Sequence, residues 1–299
     1  RGGTRLRTSR AWRFSAATRS SVGLVAHRSI GLGWTGTRIR LALRRAIIAD
    51  EVAVHFQPIV DLSDGSIQGF EALARWTDKE LGFISPGLFI PLAEERGFID
   101  SLTETLLKKA AETARHWPAG VFLSFNLSSA QLIDPATAFN VLAVINRVGL
   151  DPRRLELEIT ETAMMSDPEV AAKVVNELHS VGIRVSLDDF GTGQSSLSRL
   201  REFAFDKVKI DRSFVNEITV DRSSETIVKA ILAMCEGLDL KVIAEGIETP
   251  EQAAKLLELG CRAGQGYLFG KAVNAETTDA LIKSERSYPD HRNPADRLG

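Results

Sequence analysis

Short apolar stretches with a period of two alternate along this chain with longer stretches of helical period. The first two strand-like stretches, residues 52–61 and 67–76, are separated by about five residues that include Asp64-Gly65, which predicts an antiparallel pair. Six further strands are predicted at 121–127, 155–160, 184–188, 207–211, 241–245 and 264–268. Helices are predicted at 86–95, 101–116, 135–148, 168–181, 195–203, 221–237, 250–259 and 275–284, after a helix near 39–48.

This order of elements predicts an α/β protein. Strands that alternate with helices form parallel sheets, and eight strands in about 250 residues suit a closed barrel. No GxGxxG sequence follows a predicted strand, which disfavours an open nucleotide-binding sheet. We therefore expect a (β/α)8 barrel in which one strand of the opening hairpin runs against the others.

Charge divides the chain into a basic leader and an acidic body. Residues 1–49 hold eleven arginines and no Lys, Asp or Glu, a charge of +11, and the other residues hold 26 basic and 39 acidic side chains, a charge of −13. We predict a leader over 1–36, a barrel domain over 37–285 and a polar tail over 286–299. Three interpretations of the leader stay open: a transit peptide, an arm for nucleic acid or anionic lipid, or the junction left when a longer protein is cut.

Cysteine and hydropathy patterns exclude several classes of protein. The chain has two cysteines, Cys235 and Cys261, and neither a CxxC pair nor a Cys/His cluster. A disulfide framework or a zinc site is therefore not expected, and a reducing cytoplasm is the expected location. No apolar stretch reaches the roughly 18 residues of a membrane span. A parent protein anchored in a membrane stays an open alternative.

Polar side chains fall at or near the carboxyl ends of the predicted strands. In a parallel barrel these ends meet at one rim, where active sites are built. Asp188 and Asp189 are adjacent, and two ionised carboxylates side by side repel each other unless a cation or a shared proton lies between them. Any one such residue alone would more commonly form a salt bridge or cap a helix. The full set is Glu71, Asn126, Glu158, Asp188, Asp189, Lys209, Glu245 and Gln265.

Five carboxylates and an asparagine at one mouth require positive charge nearby. Oxygen ligands without Cys or clustered His select hard ions, so we expect Mg²⁺ or Mn²⁺, and the ligands suffice for the two ions that suit in-line displacement at phosphorus. Lys209 is suited to orient a water or to stabilise developing charge. Arg75, on the face of Glu71, is suited to hold a phosphate through two hydrogen bonds. The residues alone thus predict metal-dependent hydrolysis of a phosphoester.

Nine motifs follow one another along residues 38–285. They are QPIVDL, FEALARW, ISPGLFIPLAEERG, FNLSSAQL, LELEITETAM, DDFGTGQSSL, VKIDRSFV, VIAEGIET and GCRAGQGYLFG. This series resembles the EAL-domain cyclic di-GMP phosphodiesterases. The resemblance implies a modified TIM (β/α)8 barrel with the first strand antiparallel, and conversion of cyclic di-GMP to linear 5′-pGpG with two divalent cations, Mg²⁺ or Mn²⁺. One departure is Lys271-Ala272 after GYLFG, where the family often has Arg-Pro, and it bears on loop shape rather than on catalysis.

The resemblance also assigns roles by position. Lys209 matches the lysine near the attacking water. Gln265 matches a glutamine near the metal site, and we assign it to the substrate-binding residues. Arg75 matches a phosphate contact, and Gln57 resembles a contact to guanine. The implied catalytic residues are Glu71, Asp188, Asp189, Lys209 and Glu245. The implied metal ligands are Glu71, Asn126, Glu158, Asp188, Asp189 and Glu245.

Glu161 and the DFGTG loop are, in that family, tied to dimerisation and activity. Glu161 matches the glutamate that holds the loop, and we therefore expect a homodimer. The loop residues here are Asp189, Phe190, Gly191, Thr192 and Gly193.

Two alternative functions stay open. A non-catalytic receptor would bind cyclic di-GMP and signal through its dimer face, but the complete acidic set favours an enzyme. A nucleic-acid-binding protein would use the +11 leader, where aromatic residues are scarce, so nucleic acid is not an expected partner. No GGDEF, receiver or PAS-like segment is visible, and we expect the regulatory input to lie upstream, in a part of the parent protein absent from this chain.

Overall fold

The computed structural model describes residues 32–164, 166–191 and 203–283. Several predictions lie outside these ranges: most of the basic leader, the polar tail, most of the helix at 195–203, and Thr192 with Gly193. The N-terminal helix lies inside them as α1 (Leu32–Ile48), and it begins seven residues before the predicted start at Ile39. No helix in the described part of the chain combines the length and the apolar character needed to cross a bilayer.

The described strands and helices follow one another in the predicted order. The strands are β1 (Ala53–Asp61), β2 (Ile67–Asp78), β3 (Gly82–Ile84), β4 (Phe122–Asn126), β5 (Leu155–Thr160), β6 (Arg184–Phe190), β7 (Lys207–Ile210), β8 (Lys241–Ala244) and β9 (Ala263–Gln265). The helices after α1 are α2 (Pro86–Glu95), α3 (Ile99–Ala114), α4 (Ser129–Leu132), α5 (Thr137–Val148), α6 (Glu161–Met164), α7 (Pro168–Ser180), α8 (Arg212–Asn216), α9 (Arg222–Gly237), α10 (Pro250–Glu258) and α11 (Ala275–Lys283).

Eight of these strands close into a barrel. The sheet runs from β2 through β4, β5, β6, β7, β8 and β9 to β1, and β1 pairs back to β2. Strand β1 is antiparallel to both of its neighbours, whereas the pairs from β2 to β4 and onward to β9 are parallel. The predicted modified TIM barrel with its first strand antiparallel is confirmed.

Some elements differ from the prediction at their ends. Strand β9 ends at Gln265 because the next residues form a turn, in which the amide of Phe269 donates to the carbonyl of Gly266 at 3.1 Å. Strand β6 continues two residues past the predicted end, to Phe190. Four short elements were not predicted, namely β3, α4, α6 and α8, each of at most five residues and too short to show a period.

Alternate strand residues divide the hydrophobic side chains between two regions. The larger region lies between the strands and the surrounding helices, and it includes Leu123, Leu157 and Val208. A separate small cluster consists of Ile59, Phe122 and Ile243, with Ala263 packed against it. Residues at alternate positions of a barrel strand point inward, so this second cluster lies inside the barrel, near the amino ends of the parallel strands.

A buried ion pair lies beside this inner cluster. Lys207 Nζ is 2.5 Å from Glu156 Oε2 and 3.7 Å from the centroid of the Phe122 ring. Arg184 Nε is 3.8 Å from the same carboxylate oxygen. The glutamate, the lysine and the ring are all buried, and together they fill the amino end of the barrel. We call Phe122, Glu156 and Lys207 the barrel floor.

Candidate active site

Lys209 lies at the centre of an acidic cluster near the opposite end of the barrel. Its side chain is 1% exposed, and its ammonium is 2.6 Å from Glu245 Oε1 and 2.7 Å from Glu158 Oε2. Asp188 Oδ1 and Glu71 Oε2 follow at 3.5 and 3.8 Å. The acidic residues come from four different strands or strand ends. The barrel thus brings four predicted carboxylates to one buried cation.

Amide side chains hold Glu71 in place. Asn126 Nδ2 donates to Glu71 Oε1 at 2.8 Å, and Gln265 Nε2 donates to Glu71 Oε2 at 2.5 Å. These donors come from β4 and from the end of β9, so Glu71 of β2 is fixed from two other strands. Glu71 and Gln265 are buried, whereas Asn126 is half-buried at the rim.

Within the cluster around Lys209, Glu158 is the least exposed acidic residue, at 1%. Ser124 Oγ donates to its Oε1 at 2.6 Å, and Lys209 Nζ donates to its Oε2 at 2.7 Å. Both oxygens of this carboxylate therefore accept a hydrogen bond. Ser124, two residues before Asn126 on β4, is itself fully buried.

Asp188 and Asp189 have different environments at the end of β6. Asp188 is buried, whereas Asp189 is half-buried and has a φ of 56°, in the left-handed region that only a few residue types tolerate. Oxygens of Asp188, Asp189 and Glu245 lie within 4.8 Å of one another, which is close enough for a shared ion. The left-handed backbone turns the second carboxylate toward the same space as the first.

Burial and mutual repulsion divide the carboxyl groups into two kinds. Burial works to raise the pKa of Glu71, but the charge of Lys209 and the hydrogen bonds from Gln265 and Asn126 outweigh it and lower that pKa. Burial and neighbouring acids raise the pKa of Glu158 and Glu245 well above the usual range. Burial likewise raises the pKa of Asp188, and together with the charge of Asp188 it raises the pKa of Asp189 to about 7.

The cluster holds more negative charge than one lysine can balance. Burial alone would lower the pKa of Lys209, yet the surrounding carboxylates raise it well above its usual value, so this residue stays a cation. Asp188 Oδ1 and Gln265 Oε1 are buried and accept no hydrogen bond from the described residues. Glu245 Oε1 contacts Lys209 as an ion pair, but at an angle unsuited to a hydrogen bond. Oxygen atoms with unused lone pairs beside repelling carboxylates fit hard divalent cations.

The residues predicted to contact substrate lie beside this cluster. Gln57 is buried, faces Glu71 across the β1–β2 pair, and donates to the carbonyl of Gly270 at 3.3 Å. A cavity of about 20 Å³ is lined by Gln57, Arg212, Glu245, Glu248, Gln265 and Tyr267. Half-buried Arg75 lies close enough to Glu71 and Tyr267 for their charges to influence its pKa, which burial lowers.

The described residues that were predicted to support the loop after β6 include Glu161, Phe190 and Gly191. Glu161 begins α6, and its Oε2 is buried without a hydrogen bond from the described residues. Phe190 is buried, and Gly191 has a φ of 96°. A Cβ at Gly191 would lie 2.8 Å from the ring of Phe214, so both the backbone angle and the space require glycine.

Two serines near the site were missed in the sequence. Ser124 contacts Glu158, and Ser128 Oγ donates to Glu94 Oε1, which ties α2 to the segment just after Asn126. The period of two on β4 offered a signal for Ser124, because residues 124 and 126 share a face. Nothing local in the sequence relates Ser128 to a residue thirty-four positions earlier.

Comparisons with known proteins agree on one family. Residues 40–272 match the EAL domain. The "Uncharacterized signaling protein" of Caulobacter vibrioides is 44% identical over 229 residues, which cover 77% of this chain and 28% of that protein. The "Cyclic di-GMP phosphodiesterase NbdA" of Pseudomonas aeruginosa is 38% identical over 253 residues, which cover 82% of this chain and 32% of that protein. The chain spans about a third of the length of the curated relatives it matches.

The fold is also similar to that of solved structures. One of these, described as "PaMucR Phosphodiesterase, c-di-GMP complex", matches with a TM-score of 0.77 and 37% identity over 81% of this chain and 99% of that chain. This similarity extends over nearly the whole of the matched structure and agrees with the match to the EAL domain.

Proposed function

This chain belongs to the EAL domain family, and from that membership we propose that it hydrolyses cyclic di-GMP to linear 5′-pGpG with divalent cations. The observation that carries the proposal is the ring of buried carboxylates around Lys209, with unused oxygen lone pairs among them. A domain that only bound the dinucleotide would not need this concentration of buried acid. The complex of a similar phosphodiesterase with c-di-GMP supports the choice of substrate.

We assign the cations to the carboxylates and the rim amide. The residues that would hold them are Glu71, Asn126, Glu158, Asp188, Asp189 and Glu245. When bound, two Mg²⁺ or Mn²⁺ ions would supply positive charge and Lewis acidity for displacement at phosphorus. Lys209 keeps these side chains in one cluster and provides a fixed positive charge beside them. We propose that its ammonium also orients the attacking water.

Substrate binding is assigned to the wall next to the acidic cluster. Arg75 would hold a phosphate through its planar guanidinium, and Gln57 would bind the guanine edge with its amide. Gln265 keeps Glu71 oriented through its hydrogen bond, and it lines the same cavity as Gln57 and Tyr267. These contacts position the dinucleotide and leave the acidic cluster free for the reaction at phosphorus.

Dimerisation and location are further parts of the proposal. We propose a homodimer whose formation is coupled to the loop Asp189–Gly193 through Glu161, and Phe190 with Gly191 form the described base of that loop. We propose that the reaction takes place in the cytoplasm. The two cysteines are free and buried, as expected in a reducing compartment.

Product analysis tests the proposed function. The protein is incubated with cyclic di-GMP and Mn²⁺ or Mg²⁺, and the nucleotides are separated by chromatography. Glu71→Gln keeps the size of the side chain and removes its charge, so pGpG is expected from the native protein and is expected to fall at least about a hundredfold in the variant. Glu177→Gln, at an exposed position of α7, is the matched control and should leave turnover unchanged.

Two other outcomes would contradict an enzyme. Saturable binding of cyclic di-GMP without metal-dependent turnover would indicate a receptor. The absence of both turnover and binding would remove the substrate assignment for this chain.

A further inference from the structure

Ser124 contacts the acidic cluster from inside the barrel wall. Its hydroxyl donates to Glu158 Oε1 at 2.6 Å, and neither residue is more than 1% exposed. We propose that Ser124 is a positioning residue that orients the Glu158 carboxylate for binding a divalent cation. This inference rests on the proposed function, because it takes Glu158 to be a ligand.

The two oxygens of Glu158 have separate partners. Oε1 accepts from Ser124, whereas Oε2 faces Lys209 at 2.7 Å, and through Lys209 it faces Glu245 and Asp188. A carboxylate end can rotate about its last torsion unless a neighbour fixes it. The serine holds Oε1 toward β4 and thereby directs Oε2 toward the space between the acidic side chains.

Burial makes this hydrogen bond matter. Within the buried surroundings of Glu158, no water replaces a lost donor without cost, and a buried oxygen left unpaired is destabilised. Residues that hydrogen-bond to metal ligands typically change metal affinity by 10- to 100-fold when they are removed. Ser124 makes such a contact, and we expect its removal to weaken cation binding by about tenfold.

A second serine provides a matched control. Ser186 is also fully buried, and in the register of the β5–β6 pair it lies opposite Glu158, but its hydroxyl has no hydrogen-bond partner among the described residues. The two serines thus share residue type, burial and the neighbouring strand β5. They differ in the hydrogen bond to Glu158, so comparing them separates that bond from the general effect of removing a buried hydroxyl.

The test measures Mn²⁺ binding to the metal-free protein by electron paramagnetic resonance, in the native protein and in Ser124→Ala, Ser124→Cys and Ser186→Ala. The thiol is a weaker donor of similar size, so affinity should fall from Ser to Cys to Ala at position 124. Ser186→Ala should stay within about twofold of native. If Ser124→Ala fails to fold, as judged by its thermal unfolding, the Mn²⁺ affinity of Ser124→Cys is compared with that of Ser186→Ala instead.

Turnover separates positioning from a general loss of structure. In Ser124→Ala the KM for cyclic di-GMP should stay unchanged, because Gln57 and Arg75 are untouched. At limiting Mn²⁺ the kcat of this variant should be lower than that of the native protein, and added Mn²⁺ should restore it. Equal Mn²⁺ affinity in the native protein and all three variants would overturn the role of Ser124 and leave the proposed function standing. Absence of Mn²⁺ binding in the native protein would overturn both.

Discussion

At the scale of single residues, the acidic cluster gathers carboxyl groups whose ionised form is disfavoured by burial and mutual repulsion. Glu158, Asp188, Asp189 and Glu245 all have a raised pKa, chiefly because they are buried, and one lysine balances only part of their charge. Structures that keep such groups commonly use them at a functional site rather than for stability.

This arrangement predicts how the stability of the metal-free protein depends on pH. Each of these four groups has a higher pKa folded than unfolded, so between the two pKa values the folded state binds more protons and the free energy of unfolding falls as pH rises. The fall should begin near the usual carboxyl pKa of about 4 and continue through the pKa of Asp189, which is about 7. Thermal unfolding with a chelator, at several pH values, measures it.

Two comparisons make this measurement specific. Added Mn²⁺ should restore stability most strongly at the higher pH, where the carboxylates are ionised. Glu245→Gln removes one of the groups with a raised pKa, so this variant should show a shallower pH dependence without metal and a weaker response to Mn²⁺. A pH profile that is flat for the metal-free native protein would contradict the assigned pKa directions.

The sequence predicted which residues would gather at the candidate site but not the contacts between them. The grouping of Glu71, Glu158 and Lys209 was predicted from positions at or near strand ends, since parallel strands carry such residues to one rim, although Glu71 lies well inside β2. The left-handed backbone of Asp189 could not be foreseen, because aspartate adopts that conformation only where its surroundings hold it there. The bond from Ser124 to Glu158 depends on the stagger between β4 and β5, which no local pattern encodes.

At the scale of elements, β2 and β4 are held together by a close contact at the barrel floor. The ring of Phe122 lies directly against Gly69, and a Cβ at that glycine would be 2.8 Å from three ring carbons. The pair faces inward in the register of β2 and β4, at the end of the barrel away from Lys209. Glycine is therefore required here for space and not for backbone angle.

Gly69→Ala should destabilise the fold without changing the chemistry. Overpacking of this kind costs about 1–3 kcal/mol, so a lower free energy of unfolding in urea is expected, with unchanged kcat per folded molecule. Gly120→Ala is the control, because a Cβ there meets no atom within 4 Å. The double variant Gly69→Ala with Phe122→Leu should recover part of the loss, and purely additive losses would show that the ring is not the cause.

Element order was predictable from the chain, whereas several element ends were not. Period-two stretches located the eight barrel strands because inward and outward positions alternate. The antiparallel direction of β1 followed from the short connection between 61 and 67, which leaves no room for a crossover helix. Strand β9 is shorter than predicted because Gly266 begins a turn, and glycine spacing alone does not distinguish a turn from a strand.

At the scale of the whole molecule, the barrel has one end that is filled and one that carries the acidic side chains. Phe122, Glu156 and Lys207 fill the amino end, and Lys207 is held there by its carboxylate partner and by the aromatic ring. The barrel floor and the acidic cluster are both buried polar groups, but the floor satisfies its own charge. The acidic cluster, with several carboxylates for each cation, does not.

The filled floor affects how fast a cation bound in the acidic cluster should exchange with solution. Among the described residues the floor is filled, so we expect small molecules to reach the acidic cluster from the rim, where a bound dinucleotide would cover any ion beneath it. Mn²⁺ should therefore be removed by a chelator more slowly in the presence of a non-hydrolysable cyclic di-GMP analogue than in its absence. Removal rates that are equal with and without the analogue would show a second route.

A barrel that is open at one end imposes an order on the binding of cations and substrate. With cations bound as proposed, we expect them to enter before the substrate and to leave after the product, so that the enzyme would pass through many turnovers on one loading of metal. Depletion of free metal would then slow the reaction only after a delay, which follows from the closure of the far end and not from the affinity of any single ligand.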